Sequence, residues 1–363
     1  MKKRILIVSE FYYPNESGSE RSARAFAEEL YSMGFDVRVL TSRYHRDLKS
    51  FESLNGVKVI RALPKYSGYR ILAHLQRLLS VGIIIRHAKN CDWVEGHLYN
   101  SLIIPMVITK FILSSRIGVV FTYSDIEQFK SANKVDYLCF KYTIKYFDII
   151  LLKGQSETVF NNHFNSSHVV QMNNICGKFN EILIEDKIEN RRYDVGFLGK
   201  LTDSKNPLFV VELAKRFPNY TFAICGHGEL LPQIAYMSKQ LSNLHLIPKE
   251  ESIVFLVECK TMLFPYRTEP AFAQSIMEAL LSECLVICSY SMAMEKITED
   301  EECIFLVRDL SLDIWADKVE YTLDNYSQYR GVARAGKSLI VNNHSPSNYC
   351  LKWNKNVWNI SND

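Results

Sequence analysis

Three short segments in the C-terminal half hold the residues best suited to chemistry. The first is Gly199-Lys200-Leu201-Thr202-Asp203-Ser204-Lys205, which follows a strand-like run and precedes a helical one. Two cations five residues apart on such a loop can clamp a diphosphate, because lysine serves phosphate as a mobile point charge. Read alone, the same loop is also an ordinary solvated turn with surface lysines. The second segment, Gly226-His227-Gly228-Glu229, follows a strand ending at Cys225. Its glycines let the backbone turn tightly and approach a ligand. It equally fits a plain strand-to-helix turn, and it lacks the third glycine of a dinucleotide fingerprint, which argues against NAD.

The third segment, from Pro265 to Glu278, runs from a strand end through a loop into a helix. Phe272, Ala273, Gln274 and Ser275 span the helix start. There, unpaired N–H groups and the positive end of the helix dipole favour phosphate. Glu278, about one turn inside, can accept two hydroxyls of a ribose. Glu269, ahead of the helix, can meet the positive charge that develops on a sugar, since glycosyl transfer passes through an oxocarbenium-like state. Without that context both glutamates read as surface charges.

The elements that would position these segments form two alternating series. The first has strands at Arg4–Val8, Asp36–Thr41, Val57–Arg61, Trp93–Glu95, Gly118–Thr122 and Asp148–Leu152, with helices at Glu20–Met33, Tyr69–Ala88 and Leu98–Leu113. The second has strands at Asp194–Leu198, Thr221–Cys225, Leu244–Ile247, Thr261–Phe264 and Leu285–Cys288, with helices at Asn206–Arg216, Leu230–Leu241 and Gln274–Ser282. Apolar runs of strand length alternating with 3.6-residue periodicity imply parallel βαβ units. The reading is α/β, two Rossmann-like doubly wound domains facing an interdomain cleft. The expected divisions are 1–178, a polar linker over 179–192, 193–340, and a helical tail over 341–363 that crosses back to the N-terminal domain.

Composition narrows the setting. The 363 residues are 47% hydrophobic and 23% charged, with a net charge of +3, too small to argue for nucleic acid. Nine scattered cysteines form no C-x-x-C pair, and Cys284 and Cys288 lack nearby histidines. That pattern reads as reduced cytosolic thiols, not zinc. The apolar run at the N-terminus, Ile5 to Val8, is a strand and not a signal peptide. Leu102 to Leu113, broken by Pro105 and Lys110, is too short to span a bilayer. The expectation is a cytoplasmic protein, soluble or peripheral.

Taken in order, these segments resemble the retaining glycosyltransferases of family 4, which have the GT-B fold. The resemblance covers nearly the whole chain. It includes Phe11-Tyr12-Tyr13-Pro14 through Gly18, Gly34 before Val37-Arg38-Val39, and Asn55-Gly56-Val57-Lys58-Val59. The family's Gly-Arg-Leu-x-x-x-Lys motif is matched by Gly199 to Lys205 with Lys200 for arginine, and its Gly-x-Gly turn by Gly226 and Gly228. The family's two glutamates have seven residues between them. Glu269 and Glu278 have eight, which puts Pro270 at the expected position. In the N-terminal half, a family His-x-His reads Glu95-Gly96-His97 here, and a Thr-x-His segment reads Thr122-Tyr123-Ser124-Asp125. Serine cannot become imidazolium, so charge assistance at Ser124 is lost.

The resemblance implies transfer from a nucleotide-diphosphate sugar to a saccharide or lipid-linked acceptor, with retained configuration, in surface polysaccharide or glycolipid synthesis. Lys200, Lys205 and the helix start at Gln274 would hold the leaving diphosphate. No cofactor and no metal are expected, because lysines replace a divalent ion and no Asp-x-Asp motif is present. The nucleotide base would lie against the loop at Ile247-Pro248-Lys249, and Gly18 would let its loop approach the phosphates on closure. His97, Ser124 and Asp125 are the acceptor or sugar contacts, with a structural histidine as the other reading of His97. Arg70, Arg77 and Arg86 share the helix Tyr69–Ala88 with an apolar face, which suits peripheral contact at the inner face of the plasma membrane and equally fits a helix packed on the sheet with a solvated basic edge. The alternative function is a catalytically weak nucleotide-sugar-binding subunit that supports a partner transferase.

Overall fold

The computed structural model describes residues 2–15, 17–64, 70–97, 102–114, 116–121, 130, 134–153, 157–164, 168–185, 191–268, 272–298 and 302–359. They form two compact units, Met1–Gly177 with Pro346–Asp363, and Lys178–Ser345.

The first unit runs β1 (Arg4–Ser9), α1 (Gly18–Ser32), β2 (Asp36–Ser42), β3 (Phe51–Leu54), β4 (Val57–Leu63), α2 (Arg70–Ala88), β5 (Trp93–His97), α3 (Ile103–Leu113), β6 (Ile117–Phe121), α4 (Lys134–Thr143), β7 (Ile149–Leu152), α5 (Glu157–Phe164) and β8 (Val169–Gln171). Its strand order is β3-β4-β2-β1-β5-β6-β7-β8. All pairs are parallel except β3 with β4, an antiparallel hairpin. Its turn is Asn55-Gly56, both at positive φ, the backbone a two-residue hairpin requires. Runs such as Ile5–Val8 and Ile149–Leu152 are wholly buried because helices cover both faces of a parallel sheet.

The second unit runs α6 (Phe179–Ile184), β9 (Tyr193–Lys200), α7 (Pro207–Arg216), β10 (Phe222–His227), α8 (Leu231–Ser238), β11 (Leu244–Ile247), α9 (Ser252–Val257), β12 (Cys259–Phe264), α10 (Gln274–Leu281), β13 (Leu285–Ser289), α11 (Met292–Thr298), β14 (Phe305–Val307), α12 (Leu312–Asp324) and α13 (Arg330–His344). Six parallel strands lie in the order β11-β10-β9-β12-β13-β14. The helix α14 (Pro346–Trp353) packs in the first unit, where Tyr349 and Trp353 join a core with Phe26, Ile5, Ile7 and Leu151.

The segment 179–192 is not wholly a linker. Phe179 and Ile182 are buried, and α6 packs on α10 within the second unit. Two apolar residues three apart suffice to seat one helical face, although the flanking charges mask the pattern. The unit boundary accordingly falls before Lys178, and the return to the first unit begins at Pro346.

Candidate functional site

In the second sheet the chain first adds β10 and β11 on one side of β9. It then crosses over and adds β12, β13 and β14 on the other. Loops leaving β9 and β12 therefore diverge, and ligands of such sheets bind beyond the carboxyl ends of the strands at this reversal. The two loops are joined. The Arg267 N–H donates to the Ser204 carbonyl at 3.0 Å, and the Arg267 guanidinium lies 3.5 Å from the Asp203 carboxylate. The Lys205 ammonium lies 3.6 Å from the Tyr266 ring centroid, a cation–π contact. The Tyr266 hydroxyl in turn lies 3.3 Å from Ser275 Oγ, at the start of α10. Burial pulls Lys205 below its ordinary range; the Cys288 thiol opposes this and the Lys200 ammonium adds to it. Lys200 and Lys205 therefore share one electrostatic neighbourhood, and Lys205 is linked through Tyr266 to the start of α10.

The glycines divide by what surrounds them. Gly226 pairs with Gly199 across β9 and β10, and a Cβ there would sit 1.9 Å from the Gly199 carbonyl oxygen. A Cβ on Gly228 would lie 2.4 Å from the Leu201 carbonyl oxygen. The Gly-x-Gly turn is thus fixed by close packing on the strand beside it, where Leu201 N–H donates to His227 and Leu230 N–H to Leu201. Gly199 differs: a Cβ there would meet only the Phe197 ring, at 3.6 Å, an ordinary contact.

Ala273 is the extended residue before α10, and no side chain caps the helix. Phe272 packs edge-on against His344, ring centroids 4.9 Å apart, and anchors the approach to the helix. Glu278 is buried within α10, 2% exposed, and its charge acts on both the Cys225 thiol and the Tyr266 hydroxyl. Ile247 ends β11 opposite Cys225. A histidine and a further lysine act at this edge. The His227 imidazole is lowered by desolvation first, then by Lys249 and Lys200. Sequence reasoning passed over His227 as a site residue, though its place between the two glycines was the available signal. Glu269 lies outside the described residues.

In the first unit the reversal falls between β1 and β5, and His97 ends β5 opposite Ser9. The side chain of His97 is 9% exposed. Its Nε2 lies 2.9 Å from Glu95 Oε1, and its ring stacks on Phe26 at 5.5 Å. Glu95 is fully buried, and its Oε2 accepts from the Trp353 indole at 2.6 Å and from the Trp93 indole at 3.2 Å. A charge in the core requires such a full set of donors. Sequence reasoning noted Glu95 only as a departure from a motif. A carboxylate inside the apolar strand Trp93–His97 was itself the signal. Gly18 opens α1 in this unit. Ser124 and Asp125 lie outside the described residues.

Residues 179–339 match the family model described as glycosyl transferases group 1. The match spans nearly all of the second unit. The whole chain is similar in fold to sucrose-phosphate synthase from Thermosynechococcus elongatus, at a TM-score of 0.75 and 12% identity over 99% of this chain and 98% of that one. It is similar to a glycosyltransferase from Rickettsia africae at 0.72 and 14%, over 99% and 98%. The Anabaena protein HepE, solved with UDP and glucose, matches at 0.69 and 13%, over 98% and 99%. No curated protein matches by sequence. The architecture is GT-B, and the matched segment contains the loops of Lys200, Lys205 and Glu278.

Proposed function

We infer that the chain is a retaining glycosyltransferase of family 4 that moves a sugar from a nucleotide-diphosphate donor to a saccharide or lipid-linked acceptor. The observation that carries the reading is the chain of contacts from Lys205, which feels the charge of Lys200, through Tyr266 and Ser275 to the helix of Glu278, at the sheet's topological reversal. The two ammoniums and the start of α10 bind the diphosphate and stabilise it as it leaves. Glu278 accepts the ribose hydroxyls, the base lies along the backbone at Ile247, and Glu269 faces the oxocarbenium-like sugar. The acceptor hydroxyl attacks the anomeric carbon on the face the diphosphate vacates, and its proton passes to the leaving phosphate. The cations supply the positive charge, so a divalent metal is not needed. HepE's UDP and glucose favour a UDP-sugar among the donors to try first.

Peripheral membrane contact is part of this reading. Among the described residues no helix is long and apolar enough to cross a membrane. Leu78 and Leu79 are exposed on α2, Phe111 and Ile112 on α3, and Tyr142 on α4 beside Lys141. Such a mixed apolar and basic face suits an acidic lipid surface. Flotation with acidic liposomes tests it: protein that stays at the bottom of the gradient removes the membrane part. For the transfer itself, a thermal-shift screen of UDP-, GDP- and ADP-sugars is followed by measuring nucleotide release with candidate acceptors. A shift with one nucleotide class and acceptor-dependent release is expected. No shift with any donor refutes the assignment.

A further inference from the structure

β7 is an apolar run, and the chain leaves it through a lysine. Strand alternation puts residues 149, 151 and 153 on one face. Ile149 and Leu151 pack there against the core of Phe26, Trp93, Tyr349 and Trp353. Lys153 continues this row and is 3% exposed. Its ammonium lies 4.4 Å from the Tyr349 ring centroid. Tyr349 is 2% exposed, and its hydroxyl has no hydrogen-bond partner. Glu95 acts electrostatically on both groups, but its oxygens are already taken by two indoles and His97. Among the described residues, nothing hydrogen-bonds the Lys153 ammonium or pairs with it at ion-pair distance.

A buried cation and a buried hydroxyl without hydrogen-bond acceptors are both costly, and both are repaid by an anion that accepts from the two of them. Lys153 stands at the carboxyl edge of a parallel sheet, the edge at which such sheets take ligands, with the Tyr349 ring against it. β6 alone separates β7 from β5, so Lys153 and His97 leave the sheet roughly 10 Å apart, the span of one small ligand group plus its link. The apolar walls exclude water and strengthen the attraction. Burial, opposed by Glu95, brings the lysine to about 8, so it remains mostly charged at neutral pH.

The geometry points to an anion subsite, formed by Lys153 and Tyr349, that takes a phosphate or carboxylate group of the acceptor. That the anion belongs to an acceptor rests on the transferase reading; that the subsite binds anions does not.

The test uses the full chain in a K200M/K205M background, which removes the principal lysines of the second unit. Calorimetric titrations with glucose 6-phosphate, glucuronate and glucose are compared at equal ionic strength. The anionic probes are expected to bind at least about tenfold more tightly than glucose, Lys153→Met to erase that preference, and Tyr349→Phe to reduce it about threefold. Preference for one anion over the other assigns phosphate or carboxylate. No preference for either anion, or a preference that survives Lys153→Met, overturns the subsite. Should the variants not fold, the unmodified protein is acetylated with acetic anhydride at pH 8, and the Lys153 peptide is quantified by mass spectrometry. Inorganic phosphate is expected to protect it about fivefold over chloride. Equal labelling overturns the subsite, and so does an amine that never labels. UDP binding by the unaltered chain reads the transferase assignment separately, so either proposal can fail alone.

Discussion

Replacing Lys153 with methionine should make the first unit more stable at neutral pH, and the gain should disappear in alkali. Burial holds the Lys153 ammonium at about 8 against an ordinary 10.5. Each tenfold loss of proton affinity is 1.36 kcal/mol, so keeping the ammonium charged in the fold costs about 3 kcal/mol at pH 7. The cation–π contact with Tyr349 returns about 1 kcal/mol, which leaves a net gain of about 2 kcal/mol for the methionine variant. The sign follows from proton counting. Between the folded and unfolded values, the unfolded chain binds more protons, so native stability rises with pH over that window. Below about pH 8 the full penalty is present. By pH 9.5 less than half of it remains, and the two proteins should unfold at nearly the same denaturant concentration. The assay is urea unfolding at pH 7 and pH 9.5, followed by tryptophan fluorescence. Trp93, Trp353 and Trp358 lie in the first unit and only Trp315 in the second, so the signal reports mainly the first. A variant less stable than the parent at pH 7, or a difference that does not change with pH, refutes the picture of a desolvated, unpaired ammonium. A lysine retained at such a cost is more readily explained by binding than by folding.

Three further outcomes follow from the geometry. Gly226→Ala should destabilise the second unit by about 3 kcal/mol in urea unfolding, because its Cβ meets a strand carbonyl at 1.9 Å, whereas Gly199→Ala should fold normally. Lys205→Met should leave the fold as stable as before or more so, since burial already disfavours the charge, yet weaken UDP binding about 30-fold by titration calorimetry. Trp353→Phe removes the 2.6 Å donor to Glu95 and should cost about 2 kcal/mol in the same urea assay applied to the first unit.

The two sheets were legible because parallel strands buried on both faces write themselves as uninterrupted apolar runs, as in Ile5–Val8 and Leu285–Cys288. The helix α6 was not: six residues with two buried positions give too short a period to stand out from charged neighbours. The second unit's candidate site could be read from the sequence because its cations and its helix start follow one another within a single domain, each just past a strand end. The polar cluster of the first unit was less so. Glu95, Lys153 and Tyr349 come from β5, the end of β7 and α14, so only the fold brings them together. Each nevertheless left a mark as a polar group in, or directly after, an apolar stretch. Such a group is tolerated only where a partner is supplied. For Glu95 the partners are Trp93, Trp353 and His97, and this accounts for it structurally. Lys153 and the Tyr349 hydroxyl have no such account within the fold. This difference between a satisfied buried charge and an unsatisfied one separates structural support from a candidate binding group in the same cluster.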